Sequence, residues 1–327
     1  MFDVRPIQSQ EIDQALTLVL TDRAGFGLNV EAGLKSFYDL ARRENYDLNQ
    51  QMVVLQNDQV VFACLFVTNP GRTAFVFSAP PDLSNSALLK HSLHALRKLN
   101  EWAFSLDCNL LEVLLDTDDT AREDFFRRGG YRKLTDLIYQ SRSCLTDEPL
   151  PAPSSTIRWL VYDTDHHDLF KQVIQLSYRD SLDCPELENL RDMEDVIRSH
   201  QAAGRFDPRC WKVLLDREQP CGVLLLSPLR TSPVIELVYM GLIPSGRQAG
   251  RGKILLEEAL RCAQSRKADH IMLAVDVRNT WALRLYRRFG FTDFLRRRVM
   301  YYSSRWCGEP RHAPDVLDTS AHPVNGP

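Results

Sequence analysis

The chain has 327 residues, 44% hydrophobic and 25% charged, with a net charge of −3 and a pI near 6.3. That length suits two domains of about 150 residues, the composition is that of a soluble globular protein, and the balance of charge excludes a general nucleic-acid binder, which needs a basic footprint. No apolar run approaches the roughly 20 residues of a membrane span, and the opening MFDVRPIQSQ has no signal-peptide core. The eight cysteines are scattered, with no CxxC pair and no Cys/His cluster. They read as reduced thiols of a cytoplasmic chain, with neither a disulfide framework nor a metal site.

The chain repeats itself. VVLQNDQ at 53–59 and LLDTDDTAREDFFRRGGY at 114–131 lie opposite VLLDREQ at 213–219 and AVDVRNTWALRLYRRFGF at 274–291. Asp116 answers Asp276, Arg127 and Arg128 answer Arg287 and Arg288, and Gly130 answers Gly290, at a constant offset of 276 − 116 = 160. A period this long means a duplicated domain, since solenoid units run about 20–50 residues. SCLTDEPLPAPSST at 143–156 reads as the linker. The expected organisation is one domain over 1–150, a second over 151–303, and a mobile tail over 304–327, which lacks any periodicity.

The second copy shows the element order best. A strand at 157–163 precedes a helix at 166–178 and a polar helical region near 185–203. Strands follow at 211–216, 221–229 and 234–243. A helix over 250–266 carries Leu256, Ala259, Leu260 and Ala263 on one apolar stripe. A strand at 271–277, a helix at 280–289 ended by Gly290, and a strand at 291–302 complete the copy. The fold class is therefore α/β, with two tandem domains, each a mixed, mostly antiparallel twisted sheet flanked by helices.

Between a strand and a helix stands Arg247-Gln248-Ala249-Gly250-Arg251-Gly252. Glycine in a helix costs about 1 kcal/mol relative to alanine, so two at a helix start ask for a reason. Free N–H groups and the helix dipole make that end a seat for an anion, and glycine lets an oxygen approach the backbone. The segment reads as a pyrophosphate cradle, with the arginines and Lys253 adding charge. It is neither a Walker loop nor a GxGxxG turn.

Arg247-x-x-Gly250-x-Gly252, followed by Asn279, Ala282, Tyr286, Gly290 and Phe291, resembles the two signatures of the GNAT superfamily of N-acetyltransferases. The resemblance covers the second copy closely and the first only as a fold. It implies that acetyl-CoA is the acyl donor, with no metal. The amides of Met240 and Leu242, flanking Gly241, would hold the pantetheine arm, and Arg247, Gln248, Ala249, Gly250, Arg251, Gly252 and Lys253 the pyrophosphate. Asn279 would contact the pantetheine or phosphate region, and the Tyr286 hydroxyl would protonate the departing thiolate. Glu236, eleven residues before Arg247, stands at the spacing of the glutamate base in the family's histone-acetylating members.

Each residue also has a plainer reading. Tyr286 also reads as a half-buried aromatic, Asn279 as an N-cap, and Glu236 as a solvent-facing glutamate. Cys221 and Cys262 read as small core residues. In LDCPELENLRDMEDVIRSHQAAGRFDP, 182–208, the acidic Asp183, Glu186, Glu188, Asp192 and Asp195 would wall an acceptor site, although a solvated helical face is the favoured reading.

The first copy is an internal control. At the same offset Ala87, Lys90 and Ser92 replace Arg247, Gly250 and Gly252, Phe126 replaces Tyr286, Asp119 replaces Asn279, and Val76 replaces Glu236. It reads as a degenerate copy without catalysis. The function expected is N-acetyltransfer from acetyl-CoA to a small-molecule amine or a peptide by direct attack in a ternary complex, with no nucleic acid or membrane partner. A non-catalytic acyl-CoA-binding scaffold, and a protein N-acetyltransferase whose first domain docks the substrate, are the alternatives.

Overall fold

The computed structural model describes residues 1–21, 30–145, 150–151, 155–188, 190–247 and 250–306. The first half runs β1 (Phe2–Pro6), α1 (Ile12–Leu20), α2 (Val30–Glu44), β2 (Gln51–Gln56), β3 (Gln59–Asn69), β4 (Thr73–Ser78), α3 (Ser86–Ser105), β5 (Leu110–Leu115), α4 (Thr120–Arg128) and β6 (Arg132–Ser143). The second runs β7 (Ile157–Val161), α5 (His167–Tyr178), α6 (Met193–Ala202), β8 (Trp211–Asp216), β9 (Gln219–Pro228), β10 (Val234–Leu242), α7 (Arg251–Ser265), β11 (His270–Asp276), α8 (Thr280–Arg288) and β12 (Thr292–Ser303). No described helix is long and apolar enough to cross a membrane.

The offset read from the sequence holds in space: β2 and β8, β3 and β9, β5 and β11, α4 and α8, and β6 and β12 all begin 160 residues apart. Turn geometry is kept even where residues change. Asn57 and Asp58 between β2 and β3 have φ of 51° and 63°, and Arg217 and Glu218 between β8 and β9 have 50° and 63°. Two consecutive positive φ angles are what a two-residue hairpin of right-twisted strands requires.

The strands do not form a sheet for each half. They make one twelve-stranded sheet in the order β1-β2-β3-β4-β5-β12-β6-β11-β10-β9-β8-β7. The last strand of each half crosses to the other: β12 pairs with β5 of the first half, and β6 pairs with β11 of the second. The two exchanged strands meet antiparallel, and Leu137 of β6 lies opposite Arg297 of β12. Since 297 − 137 = 160, the pseudo-twofold axis of the duplication passes through that pair.

Alternate strand residues face opposite sides, and the two sides are covered by different helices. Val53, Leu55, Ala63, Leu65, Phe75 and Phe77 pack with residues of α1 and α2 on the front. Val54, Phe62, Phe66, Val76, Leu111 and Val113 pack on the back with α3 and with Phe125 and Phe126 of α4. The second half repeats this, with α5 against Tyr239 in front and Leu255 of α7 against Gly222 and Leu242 behind. Cys221 and Cys262 are core residues, 6% and 4% exposed, as expected.

Candidate functional site

A β-bulge lies between Leu237 and Tyr239. β10 pairs in parallel with β11 only from Val234 to Leu237, against His270 to Leu273. Past the bulge its other neighbour, β9, stays paired as far as Leu242. Ile243 N–H donates to the Cys221 carbonyl at 3.1 Å. In an antiparallel ladder, hydrogen-bonded pairs alternate, so Gly241 faces Val223 in such a pair. Met240 and Leu242 then turn their amides to the opposite edge, where β11 has diverged.

That open edge leads to the helix start. Gly250 has φ 72° and caps α7 in the left-handed region. A Cβ built on it would meet nothing within 4 Å, so the space beside this backbone is open. The amides of Arg251 and Gly252 have no acceptor among the described residues, whereas those of Lys253 and Ile254 bond the Gly250 carbonyl. Gln248 and Ala249 lie outside the described residues.

The arginines are arranged otherwise than their motif suggests. Arg247 donates to the carbonyls of Leu242 at 3.3 Å, Ser177 at 3.1 Å and Asp180 at 3.2 Å, and also to that of Arg179. It clamps the end of α5 to the end of β10. Arg251 is ion-paired with Asp216 at 2.6 Å. Lys253 is the freer cation, 3.6 Å from Glu257 and mostly exposed. Both arginines are thus already engaged, and among the described residues the backbone amides of Arg251 and Gly252 are left without an acceptor beside the open space.

Asn279 caps α8 by accepting from Ala282 N–H at 3.3 Å. Tyr286, about two turns beyond Asn279, is 5% exposed, with no hydrogen-bond partner among the described residues. Burial pushes its phenol well above the ordinary range, and the charge on Asp183 adds to this. Glu236 lies on the front face of β10, half-buried, and burial alone raises its carboxyl. It too has no hydrogen-bond partner among the described residues.

The acidic segment before α6 is tied down. Asp276 N–H donates to Asp183 at 3.1 Å, and Cys184 N–H donates to Asp276 at 3.0 Å. Glu186 pairs with Arg278, and Asp192 caps α6 by accepting from Glu194 N–H at 2.8 Å. Asp195 is buried, 3.8 Å from Arg72 of the first half, while Glu188 is exposed. The segment is thus pinned over the top of β11 by Asp183 and Glu186. Asp183, Cys184 and Asp276 come within 4.8 Å of one another, but those same hydrogen bonds occupy the carboxylates.

The first half keeps the splay and fills it. β4 pairs with β5 only from Thr73 to Phe75. Arg122, where the second half has Ala282, donates to the Ser78 carbonyl at 3.1 Å and to Asp119 at 2.7 Å. The cavity left there holds about 50 Å³, room for a water or two. α3 begins at Ser86, five residues earlier than α7 would place it (251 − 160 = 91). The carboxylate of Asp82 takes the N–H groups of Ser84 and Asn85 at 3.0 and 3.2 Å in front of it. The sequence pointed to the missing glycines; the arginine plug is legible only once β4 and α4 are side by side.

The acetyltransferase (GNAT) family model matches residues 174–291. A mycothiol acetyltransferase from Thermomonospora curvata is 31% identical over 162 residues, 48% of this chain and 52% of that protein. One from Thermobispora bispora is 42% identical over 60 residues, 18% of this chain and 20% of that protein. The chain spans about half the length, or less, of the curated relatives it matches. A crystal structure of a GCN5-related N-acetyltransferase from Sphaerobacter thermophilus superposes with a TM-score of 0.59 at 18% identity, covering 92% of this chain and 95% of its own. A GCN5-related glucosamine N-acetyltransferase region of a fungal multi-domain β-N-acetylglucosaminidase gives 0.57 at 13% identity, over 92% of this chain and 38% of that one. At such identities the likeness is one of fold. The segment that carries the splayed β10 and the helix start of α7 therefore matches the acetyltransferase (GNAT) family, within a duplicated chain that has the fold of a GCN5-related N-acetyltransferase.

Proposed function

We propose that the second half, residues 151–303, binds acetyl-CoA and transfers its acetyl group to an amine, while the first half, residues 1–150, performs no catalysis. The observation that carries this is the pairing of a free edge on β10 past its bulge with the left-handed Gly250 in open space at the start of α7. An extended pantetheine arm can add to Met240 and Leu242 as a strand adds to a sheet edge. Its pyrophosphate would meet the amides of Arg251 and Gly252 and the positive end of the α7 dipole. Arg247 supports this as the clamp that fixes the end of β10, and Lys253 supplies mobile charge. Asn279 sets where α8, and with it Tyr286, begins.

The chemistry asks the acceptor nitrogen to shed two protons and the sulfur to gain one. A free alkylamine has a pKa near about 10.4 and arrives protonated. Glu236, its carboxyl raised by burial, takes that proton directly or through a water. The amine nitrogen then attacks the thioester carbonyl carbon, whose oxygen the Met240 amide can stabilise as charge develops. The C–S bond breaks, the Tyr286 phenol, kept protonated by its burial, gives its proton to the sulfur, and the second proton shed by the nitrogen as it becomes an amide passes to the phenolate and restores it.

The test is calorimetry with coenzyme A, followed by release of free thiol from acetyl-CoA against a panel of amines. Binding with amine-dependent release is expected. Binding without release leaves an acyl-CoA-binding module, and no binding overturns the reading. A cytoplasmic site of action belongs to the same proposal.

A further inference from the structure

β11 is the eighth of twelve strands in the sheet, yet Ala274 at its front is exposed. A methyl group open to solvent in the middle of so wide a sheet marks the floor of a chamber. Its walls come from both halves. Tyr139 of the exchanged strand β6 lies directly opposite Ala274. Glu236 lies opposite Met272, two residues along β11 and on the same face. The Tyr139 phenol is raised by burial first and then by the negative charge of Glu236, so the two share one space. Tyr139 has no hydrogen-bond partner among the described residues. Phe294, held in a bulge of β12 between Asp293 and Leu295, meets the Tyr139 ring edge-on at 6.2 Å and is 53% exposed. A bulge re-aims a side chain out of its strand's alternation, here to the rim of this chamber.

Resting on the proposed transfer to an amine, we infer that the first half supplies a wall of the acceptor site. Tyr139, with Phe294 against it, receives the carbon skeleton of an amine whose nitrogen Glu236 takes, so the acceptor is a monoamine on an apolar or ring-shaped body. The carboxylate takes the ammonium by charge, and the two rings beside it bury the apolar body that carries it, where a second ammonium would lose its hydration. The half without catalytic groups is thereby part of the site, and the exchange of β6 is what brings Tyr139 there.

The test uses the full chain, acetyl-CoA, phenethylamine and putrescine, with free thiol as the readout and calorimetry for CoA binding. Phenethylamine is expected to have the higher kcat/KM. Tyr139→Ala should raise its KM by about ten-fold or more while CoA affinity stays unchanged, and Tyr139→Phe, which keeps the ring, should restore it. Phe294→Ala, at an exposed position that cannot threaten folding, should raise the same KM. An unchanged acceptor KM in Tyr139→Ala and Phe294→Ala, or a preference for putrescine, overturns the inference while CoA binding and turnover stand. Absence of CoA binding by the wild type overturns the proposed function itself, and turnover of neither amine overturns the inference with CoA binding intact.

Discussion

The Thr135 hydroxyl donates to the Asp276 carboxylate at 2.7 Å across 141 residues of sequence, joining the exchanged strand of the first half to the strand beside the candidate site. Asp276 is fully buried and also accepts from Arg278 and from Cys184 N–H. One carboxylate thus holds β6, β11 and the segment pinned over them. Asp276→Ala leaves the Thr135 hydroxyl and the Cys184 N–H without their acceptor, while Arg278 keeps Glu186, and each bond lost should cost about 1–3 kcal/mol; Thr135→Val should cost about 1–3 kcal/mol. Urea titration measures both. If the two share one network, the double variant loses less than the sum.

The same group sets an acid limit. Burial pushes the Asp276 carboxyl up, but the hydrogen bonds of Arg278 and Thr135 leave it below its ordinary value. Asp207, bonded to Arg209 and Arg266, is held down to about 2. A carboxyl depressed in the folded state stabilises above its unfolded value near about 3.9 and loses that stability as pH falls through the folded value. Stability should therefore drop between about pH 4 and pH 2. Asp207→Asn should flatten that part of the curve, measured by thermal melts across the range.

Gly250 and Gly252 should respond oppositely. At φ 72° an L side chain is strained by about 1–2 kcal/mol, and in Gly250→Val it would also fill the open space beside the backbone. CoA affinity should fall by an order of magnitude or more with circular dichroism unchanged. At Gly252 an added Cβ meets Leu285 at 3.5 Å and Leu242 at 3.9 Å, ordinary contacts. Gly252→Ala should keep CoA affinity and add up to about 1 kcal/mol of stability through helix propensity. Equal losses at the two positions would contradict a seat centred on Gly250.

The duplication was readable because apolar pattern and turn spacing are local, and the offset of 160 carries through to both β6 and β12. The exchange of those strands was not. A strand's alternation says which face is buried but not which neighbour it joins, and Tyr139 would look the same in a strand kept at home. Arg247 was legible as charge at a helix start. Its use as a clamp depends on where α5 ends, some 70 residues earlier in the chain. Asn279 and Asp119 cap their helices alike, at 3.3 and 2.9 Å, so the difference between the halves lies in Arg122 against Ala282, which the motif alone did not weigh.

Arg247 is accordingly a stability residue before it is a ligand. Its guanidinium meets four backbone carbonyls, three of them at the end of α5. Charge-assisted bonds of this kind contribute about 1.5–3 kcal/mol when one partner is removed. Arg247→Ala should lower the melting temperature with little change in CoA affinity per folded molecule, and Arg247→Lys should not restore it, since an ammonium lacks the planar fork. A large loss of CoA affinity at unchanged stability would return Arg247 to the pyrophosphate.

Tyr286 and Glu236 divide the proton work, and pH separates them. Tyr286→Phe removes the donor to sulfur but keeps the ring in its buried site, so kcat should fall by about 10²-fold or more while calorimetric CoA affinity holds. With its phenol raised by burial, wild-type kcat should show no falling limb below about pH 10. Glu236 must be ionised to accept a proton, and burial raises its carboxyl, so kcat at saturating acceptor should rise with pH through a midpoint above the ordinary glutamate value near about 4.3. Glu236→Gln should lower kcat and abolish that rising limb. A limb that persists in Glu236→Gln would assign the titration to the acceptor amine, and Glu236 would then be a wall of the chamber, not its base.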